Sequence, residues 1–491
     1  ISFKFYKGLD KLFFHEDKDY PFTSEQISNT ITDSEMAWGN TQVRAGWDHV
    51  YGPSLSSTAF LGYNRFAIKT DISEDFSLFA KDEQVRTISD MEYKSGMDDV
   101  SFNIDFDLFQ SNSHHIRFGV ESIFHVFSPE TYGLRSRDYG PDEVVKSDTT
   151  MSSAANNVIR AMEISTYAED EICLGKALSL MTGIRFNVFA ARGRSYLSPQ
   201  PRLAVKYSVC RGVDLKLGYS RMGQNVHLLT SSRLTLPMDL WVPATERIDP
   251  MISDQGSAGA YFSWAKGWQM TIEGYYKMMR NVLEYKDGVP VMGNSSGWEE
   301  KVEMGIGRSY GAEILIQKES GSTTGWLSYT IAKTERRFPD GTINRGEWFP
   351  YKYDRRHSVN LLANHAINSV VDLSAVWTFV TGGVITIPQR QTVVLDPDGK
   401  ELQQANVTYS RGNYRLPPSH LLNVGLNWHR KIVHGESIWT VSIYNIYNQM
   451  NPDWVISNLR TIRRSSQIYV AEREVKNVTI IPILPSIGYT F

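Results

Sequence analysis

The sequence predicts an all-β fold: a transmembrane antiparallel β-barrel with about 18 strands present. Three observations predict it. First, apolar and polar residues alternate with period two in segment after segment, which marks strands with one greasy and one wet face. Second, the connections alternate between tight turns and long loops. A membrane barrel needs that pattern, with short turns on one side and long loops on the other. Third, the chain closes on a strand-like stretch that stops at an aromatic residue, Phe491. The mean hydropathy of −0.32 fits, because lipid-facing and lumen-facing residues alternate and cancel. No apolar run reaches the roughly 18 residues of a transmembrane helix.

Taken in order, Ile1–Tyr6 is a short first strand. Asn40–Val50 and Ser57–Lys69 form a pair around the turn Tyr51-Gly52-Pro53-Ser54. Val100, Phe102, Ile104, Phe106 and Leu108 then alternate with Ser101, Asn103, Asp105 and Asp107, the cleanest alternation in the chain. Ile116 to Val126 repeats it after Ser111-Asn112-Ser113. Met162–Leu174 and Leu178–Val188 flank Gly175-Lys176. Leu203–Val209 and Val213–Tyr219 come next, then Ser257–Ala265 and Gln269–Met279, with Gly267 between the last two. Glu303–Lys318, Trp326–Lys333, His357–His365, Val371–Phe379, Leu421–Trp428 and Trp439–Tyr447 continue the series. Val475–Phe491 closes it, with Thr479, Ile481, Ile483, Pro485, Ile487, Tyr489 and Phe491 on the apolar face. Each strand is read as roughly 9 to 14 residues, enough to cross a bilayer at a tilt. Between them the long loops are expected at 8–39, 70–96, 128–157, 225–253, 282–301, 337–354, 382–418 and 449–474.

Composition narrows the function. A net charge of −3 with no basic block argues against nucleic acid as a partner. There is no HExxH or P-loop, and no catalytic residue, metal site or cofactor is expected. Gly305, Gly307 and Gly311 lie in a strand with the wrong spacing for a dinucleotide loop. Asp396-Pro-Asp398-Gly399 lacks the later ligands of a calcium loop and reads as a turn. Asp354-Arg355-Arg356-His357 reads as an ion-pair network at the lumen rim. Cys173 and Cys210 fall on the sixth and eighth strands, about 9–10 Å apart across two strand spacings. That is beyond disulfide reach, so both are expected to be free thiols.

The aromatic residues divide into two groups. Trp377, Phe379, Trp428, Trp439 and Tyr489 sit near strand ends and read as a girdle at the lipid interface. Trp241, Trp298, Trp348 and Trp454 lie in loops, where they either pack the loops together or contact a ligand. The 225–253 and 337–354 loops mix such rings with Arg247 and Arg345. The candidate ligand-binding residues are therefore Trp241, Arg247, Trp298, Arg345 and Trp348, a mixed surface suited to a polar ligand of moderate size.

The closing strand resembles the last strand of a bacterial outer-membrane barrel. Further segments resemble the C-terminal barrel of TonB-dependent outer-membrane receptors, most closely the Bacteroidota type with a carboxypeptidase-regulatory-like domain. They are Tyr196–Arg202 leading into LAVKYSV, Ser309–Glu313 before ILIQK, Gly325–Tyr329, Phe349–His357, Tyr444–Asn448 with Asn451-Pro452, and Ile481–Phe491. The resemblance implies a 22-stranded barrel of which these are the last 18 strands. It implies that 1–491 is the outer-membrane barrel domain, and that the N-terminal plug, TonB box and first strands lie outside the sequence. It also implies import of a siderophore, haem, vitamin, peptide or glycan, with outer-membrane lipid, TonB and a surface lipoprotein lid as partners. A receptor-like barrel serving as a structural subunit and a passive 18-stranded porin are the alternative readings.

Overall fold

The computed structural model describes residues 1–491 apart from 24–25, 81–82, 153–157, 230–239, 290–296, 396–401, 433–434, 453, 464–468 and 480. The turn expected at 396–399 thus lies outside the described residues.

One twenty-stranded antiparallel sheet dominates. Two of its members, Val145–Ser152 and Phe349–Pro350, are short pieces added beside longer strands. The other 18 (20 − 2) form the wall. These are β1 (Ser2–Thr23), β2 (Gln26–Val50), β3 (Leu55–Ala80), β4 (Glu83–Ser111), β5 (His114–Tyr139), β6 (Ile159–Leu174), β7 (Leu178–Ala191), β8 (Arg194–Cys210) and β9 (Val213–Gln224). They continue as β10 (Met251–Trp264), β11 (Trp268–Tyr285), β12 (Val302–Lys318), β13 (Thr323–Arg337), β14 (His357–Ala366), β15 (Val371–Val380), β16 (Ser419–Ile432), β17 (Gly435–Tyr444) and β18 (Leu484–Thr490). Each pairs antiparallel with its neighbour in the chain, and the 18 correspond one for one to the strands read from the sequence. Among the described residues β1 pairs with β2 alone and β18 with β17 alone, so the sheet has two free edges.

Side-chain alternation sets the two faces. On β4, Val100 and Phe102 point outward and are exposed, whereas Asn103 and Asp105 face the lumen. The outward residues have lipid as their solvent, which removes the cost of leaving them uncovered by protein. Trp428 pairs across the sheet with Trp439, and Trp439 packs on Tyr489 at 4.7 Å, forming an aromatic belt beside the short turns. Left-handed glycines make those turns, as at Gly175 (φ 76°) and Gly212 (φ 83°).

Two expectations fail here. Residues 8–39 and 70–96 are not long loops. β1 to β5 run 22 to 29 residues each, so their hairpins project far beyond the 9–11 residues a crossing needs. The alternation simply continues: Ile68, Thr70 and Ile72 on one face, Lys69, Asp71 and Ser73 on the other, each row in register with β4. The closing strand is also shorter than expected. Residues 469–478 pair with 454–463 in a separate hairpin, and only Leu484–Thr490 joins the wall. Cys173 and Cys210 are exposed free thiols on β6 and β8, with β7 between them.

Candidate functional site

The long connections from β9 onward gather over the mouth of the barrel. The link from β9 to β10 forms a small hairpin, Val226–Leu229 against Leu240–Pro243. Its strands alternate apolar residues that have no lipid to face, so they turn inward. Leu229, Leu240, Val242 and Ala244 are buried against Phe127 of β5, Phe189 of β7, and Leu283 and Tyr285 of β11. Trp298 completes this core and is 3% exposed. Each buried Leu, Val or Phe side chain here contributes about 1.5–3 kcal/mol. The core thus ties Leu229, Leu240–Ile248 and Trp298 to the lumen side of the wall. His227 lies inside it, and its Nε2 has no hydrogen-bond partner. Burial pushes its pKa down to about 4, and nearby Arg336 adds to that.

A polar core stands beside the apolar one. Arg411 is buried and donates through Nε to Asp287 at 2.8 Å, through Nη1 to Glu284 at 3.3 Å and through Nη2 to the Tyr285 carbonyl at 2.6 Å. Arg336 reaches the other oxygen of Glu284 at 3.1 Å, and its guanidinium stacks 3.5 Å from the Tyr351 ring centre. Asn344 closes the cluster: its side-chain oxygen accepts from the Arg411 N–H and its own N–H donates to Asp287. Three loops are held to one another by these bonds, and the groups are satisfied where burial would otherwise be costly.

At the rim, Asp354 is 1% exposed at its side chain and accepts from the Thr334 N–H at 2.7 Å. Arg415 lies 2.5 Å from it and Arg356 3.6 Å. Arg355 projects at the same place and donates to the Thr381 carbonyl at 3.1 Å. Two guanidiniums, of Arg415 and Arg356, therefore share one carboxylate, with Arg355 close enough to Arg415 to feel its charge. Partial burial, and then repulsion from Arg415, hold the pKa of Arg355 below the usual guanidinium value. The ion-pair network expected at 354–357 is formed, with Arg415 as a member from a distant segment.

The five sequence candidates do not converge on one pocket. Trp241 is half-buried on the inner hairpin, opposite Leu228. Arg247 is exposed, 3.8 Å from Glu300, which places it beside the Trp298 turn. Trp298 itself takes the packing role. Arg345 is exposed in a left-handed turn (φ 55°), and Trp348 is half-buried with Arg308 stacked 4.2 Å from its ring centre. The side chain of Trp454 falls outside what the structure describes. Glu284, Asp287, Arg411 and Arg415 carried no signal in the sequence, since Arg411 meets Glu284 and Asp287 across 127 and 124 residues.

Below the mouth the lumen wall is polar and cross-linked. His125 bonds Asp99 at 2.7 Å, Asn187 bonds Glu163 and Ser165, Asn225 bonds Asn187, and Arg185 pairs with Glu121. Among the described residues no group of three or more His, Cys, Asp or Glu side chains is placed to hold a metal ion.

A family model described as "TonB dependent receptor-like, beta-barrel" matches residues 4–448. Among solved structures, the FrpB iron transporter of Neisseria meningitidis (F3-3 variant) is similar at 9% identity and a TM-score of 0.50, over 99% of this chain and 81% of that one. The siderophore receptor PirA of Acinetobacter baumannii is similar at 8% identity and a TM-score of 0.51, over 90% of this chain and 76% of that one. At such identities the likeness speaks to the fold. No curated protein sequence matches the chain.

Proposed function

The chain belongs to the family of TonB-dependent receptor β-barrels, and we propose that it captures an anionic ligand of moderate size at its mouth and admits it across the outer membrane. Proteins of this family are outer-membrane receptors that work with TonB. The cluster at Asp354 carries the ligand reading. Arg356 and Arg415 share one carboxylate, and Arg355 stands beside Arg415 with no carboxylate partner among the described residues, which leaves positive charge that a carboxylate or phosphate group of a ligand would match. Arg247 and Arg345 add exposed positive charge at the same end of the barrel.

The proposed division of labour follows from the matched family model being that of the barrel. Residues 1–491 supply wall, lipid seal and loops. A plug outside them couples to TonB and opens the path. A surface lipoprotein over the mouth, implied by the Bacteroidota-type resemblance, belongs to the same proposal.

The test is uptake by cells expressing the full-length receptor, using labelled ferric siderophores, haem, cobalamin and acidic oligosaccharides. Uptake of one of these should saturate, and Arg355→Ala with Arg415→Ala should raise the half-saturation concentration at least tenfold. Unchanged affinity in that double variant would refute the anionic-ligand reading.

A further inference from the structure

A trough runs down the lipid-facing wall where β9, β10 and β11 adjoin. The outward row of β10 is Gly256, Ala258 and Ala260, all small. Across the ladder on one side stand Tyr219, Leu217 and Leu215 of β9, and on the other Tyr276, Gly274 and Ile272 of β11. Tyr219, Leu217 and Leu215 on one side, and Tyr276 and Ile272 on the other, therefore wall a floor that has almost no side chains. The upper part of the trough, from Gly256 to Ala258 and reaching Leu203 and Val205 of β8, measures about 590 Å³. At Gly256 a Cβ would meet nothing within 4 Å, so the floor is open space rather than close packing.

The top of the trough is charged. Asp254 lies two residues above Gly256 on the same outward face. Arg221 grips it through Nε at 2.7 Å and Nη2 at 3.3 Å, Arg280 through Nη2 at 3.0 Å, and the Tyr219 hydroxyl donates to it at 2.8 Å. Asp254 stands ten residues (264 − 254) from the strand end at Trp264. At about 3.3 Å per residue and a tilt near 40° this is roughly 25 Å, the height of a barrel's apolar band. The cluster thus sits at the level of outer-leaflet headgroups. Two guanidiniums share one carboxylate, leaving one positive charge and several N–H donors unspent. On the next strands Arg308 and Lys333 share Glu335, but there the carboxylate is buried and Arg308 is also stacked on Trp348. Arg280 pairs with Ile306 and Arg308 lies two residues further on, so the clusters are diagonal neighbours about 7–8 Å apart.

We propose that this face holds one phosphorylated glycolipid of the outer leaflet, with an acyl chain in the trough and a headgroup phosphate on Arg221 and Arg280. The chemistry selects the occupant. The trough continues the lipid-facing surface, so its natural filling is an acyl chain. Paired arginines match phosphate in forked geometry, and basic clusters at the membrane surface select anionic headgroups.

Native mass spectrometry of the full-length receptor purified from outer membranes tests this, followed by titration with diphosphoryl lipid A in mixed detergent–phosphatidylethanolamine micelles. One lipid A should be retained per chain. Arg221→Gln with Arg280→Gln, and separately Gly256→Leu, should each weaken binding at least tenfold. The glycine variant leaves the ion pairs intact and fills only open space, so it reports on the trough without disturbing the fold. Equal retention by all three proteins, or retention of phosphatidylethanolamine in place of lipid A, would overturn the proposal.

Discussion

The first five strands and the rest of the barrel put the same alternating sequence to different ends. β1 to β5 carry their ladder on past the membrane and stand as projecting hairpins. From β6 onward the wall strands are 7 to 18 residues long, and the chain above them turns inward to pack. Surface ion pairs such as Lys69 with Asp71 and Glu92, and Arg135 with Asp148, lace the projecting part. The mouth has buried ones, with Arg411 and Glu284 at 4% and 5% side-chain exposure. The difference teaches where stability and recognition reside. Backbone ladders and a small apolar cluster of Met36, Ile68, Tyr93 and Tyr132 hold the projecting hairpins, and their exposed charges are close to interchangeable. The mouth depends on a few irreplaceable side chains.

Substitutions should separate the two regions. Arg411→Ala leaves Glu284 and Asp287 without their buried partner and should cost about 3–5 kcal/mol locally. Hydrogen exchange at 283–287 and 343–347 should accelerate strongly while β1–β5 keeps its protection. A uniform loss across the molecule would break the comparison. Trp298→Ala removes the largest ring of the apolar mouth core and should cost about 3–5 kcal/mol by the usual range for buried aromatic residues, read as protease sensitivity of the 225–253 segment.

His227 sharpens the contrast through pH. Its folded pKa of about 4 lies below its ordinary value of 6.5. The opened state therefore takes up a proton first as the solution is acidified. Its contribution to closure is complete above pH 6.5 and is lost as pH falls toward 4. Loop opening followed by hydrogen exchange should rise across that window and should flatten in His227→Gln. A flat profile in the unmodified protein would show that His227 is not sealed. The smallest effect belongs to the projecting hairpins: Lys69→Ala should change stability by only about 0.2–1 kcal/mol. A larger drop in the denaturation midpoint would mean that those ion pairs do more than decorate a ladder.

Strand number and tight turns were legible because period two and left-handed glycines are local signals. Strand length was not. The alternation of Ile68, Thr70 and Ile72 with Lys69, Asp71 and Ser73 continues without a break, but nothing local says whether a ladder partner waits across the gap. Val475–Val478 was misplaced for the same reason, since alternation does not name the partner strand. At the mouth, Trp298 showed itself as a loop aromatic, yet packing and recognition look alike in sequence. The Arg411 cluster joins residues more than 120 positions apart, and only the fold brings them together.

The central claim is energised import through this barrel. It is tested most directly by measuring uptake of a labelled ligand against concentration, in cells expressing the full-length receptor with and without TonB. The account predicts saturable uptake that collapses when TonB is removed while surface binding persists. Uptake that rises linearly with concentration and ignores TonB would contradict it and would make the barrel a passive pore.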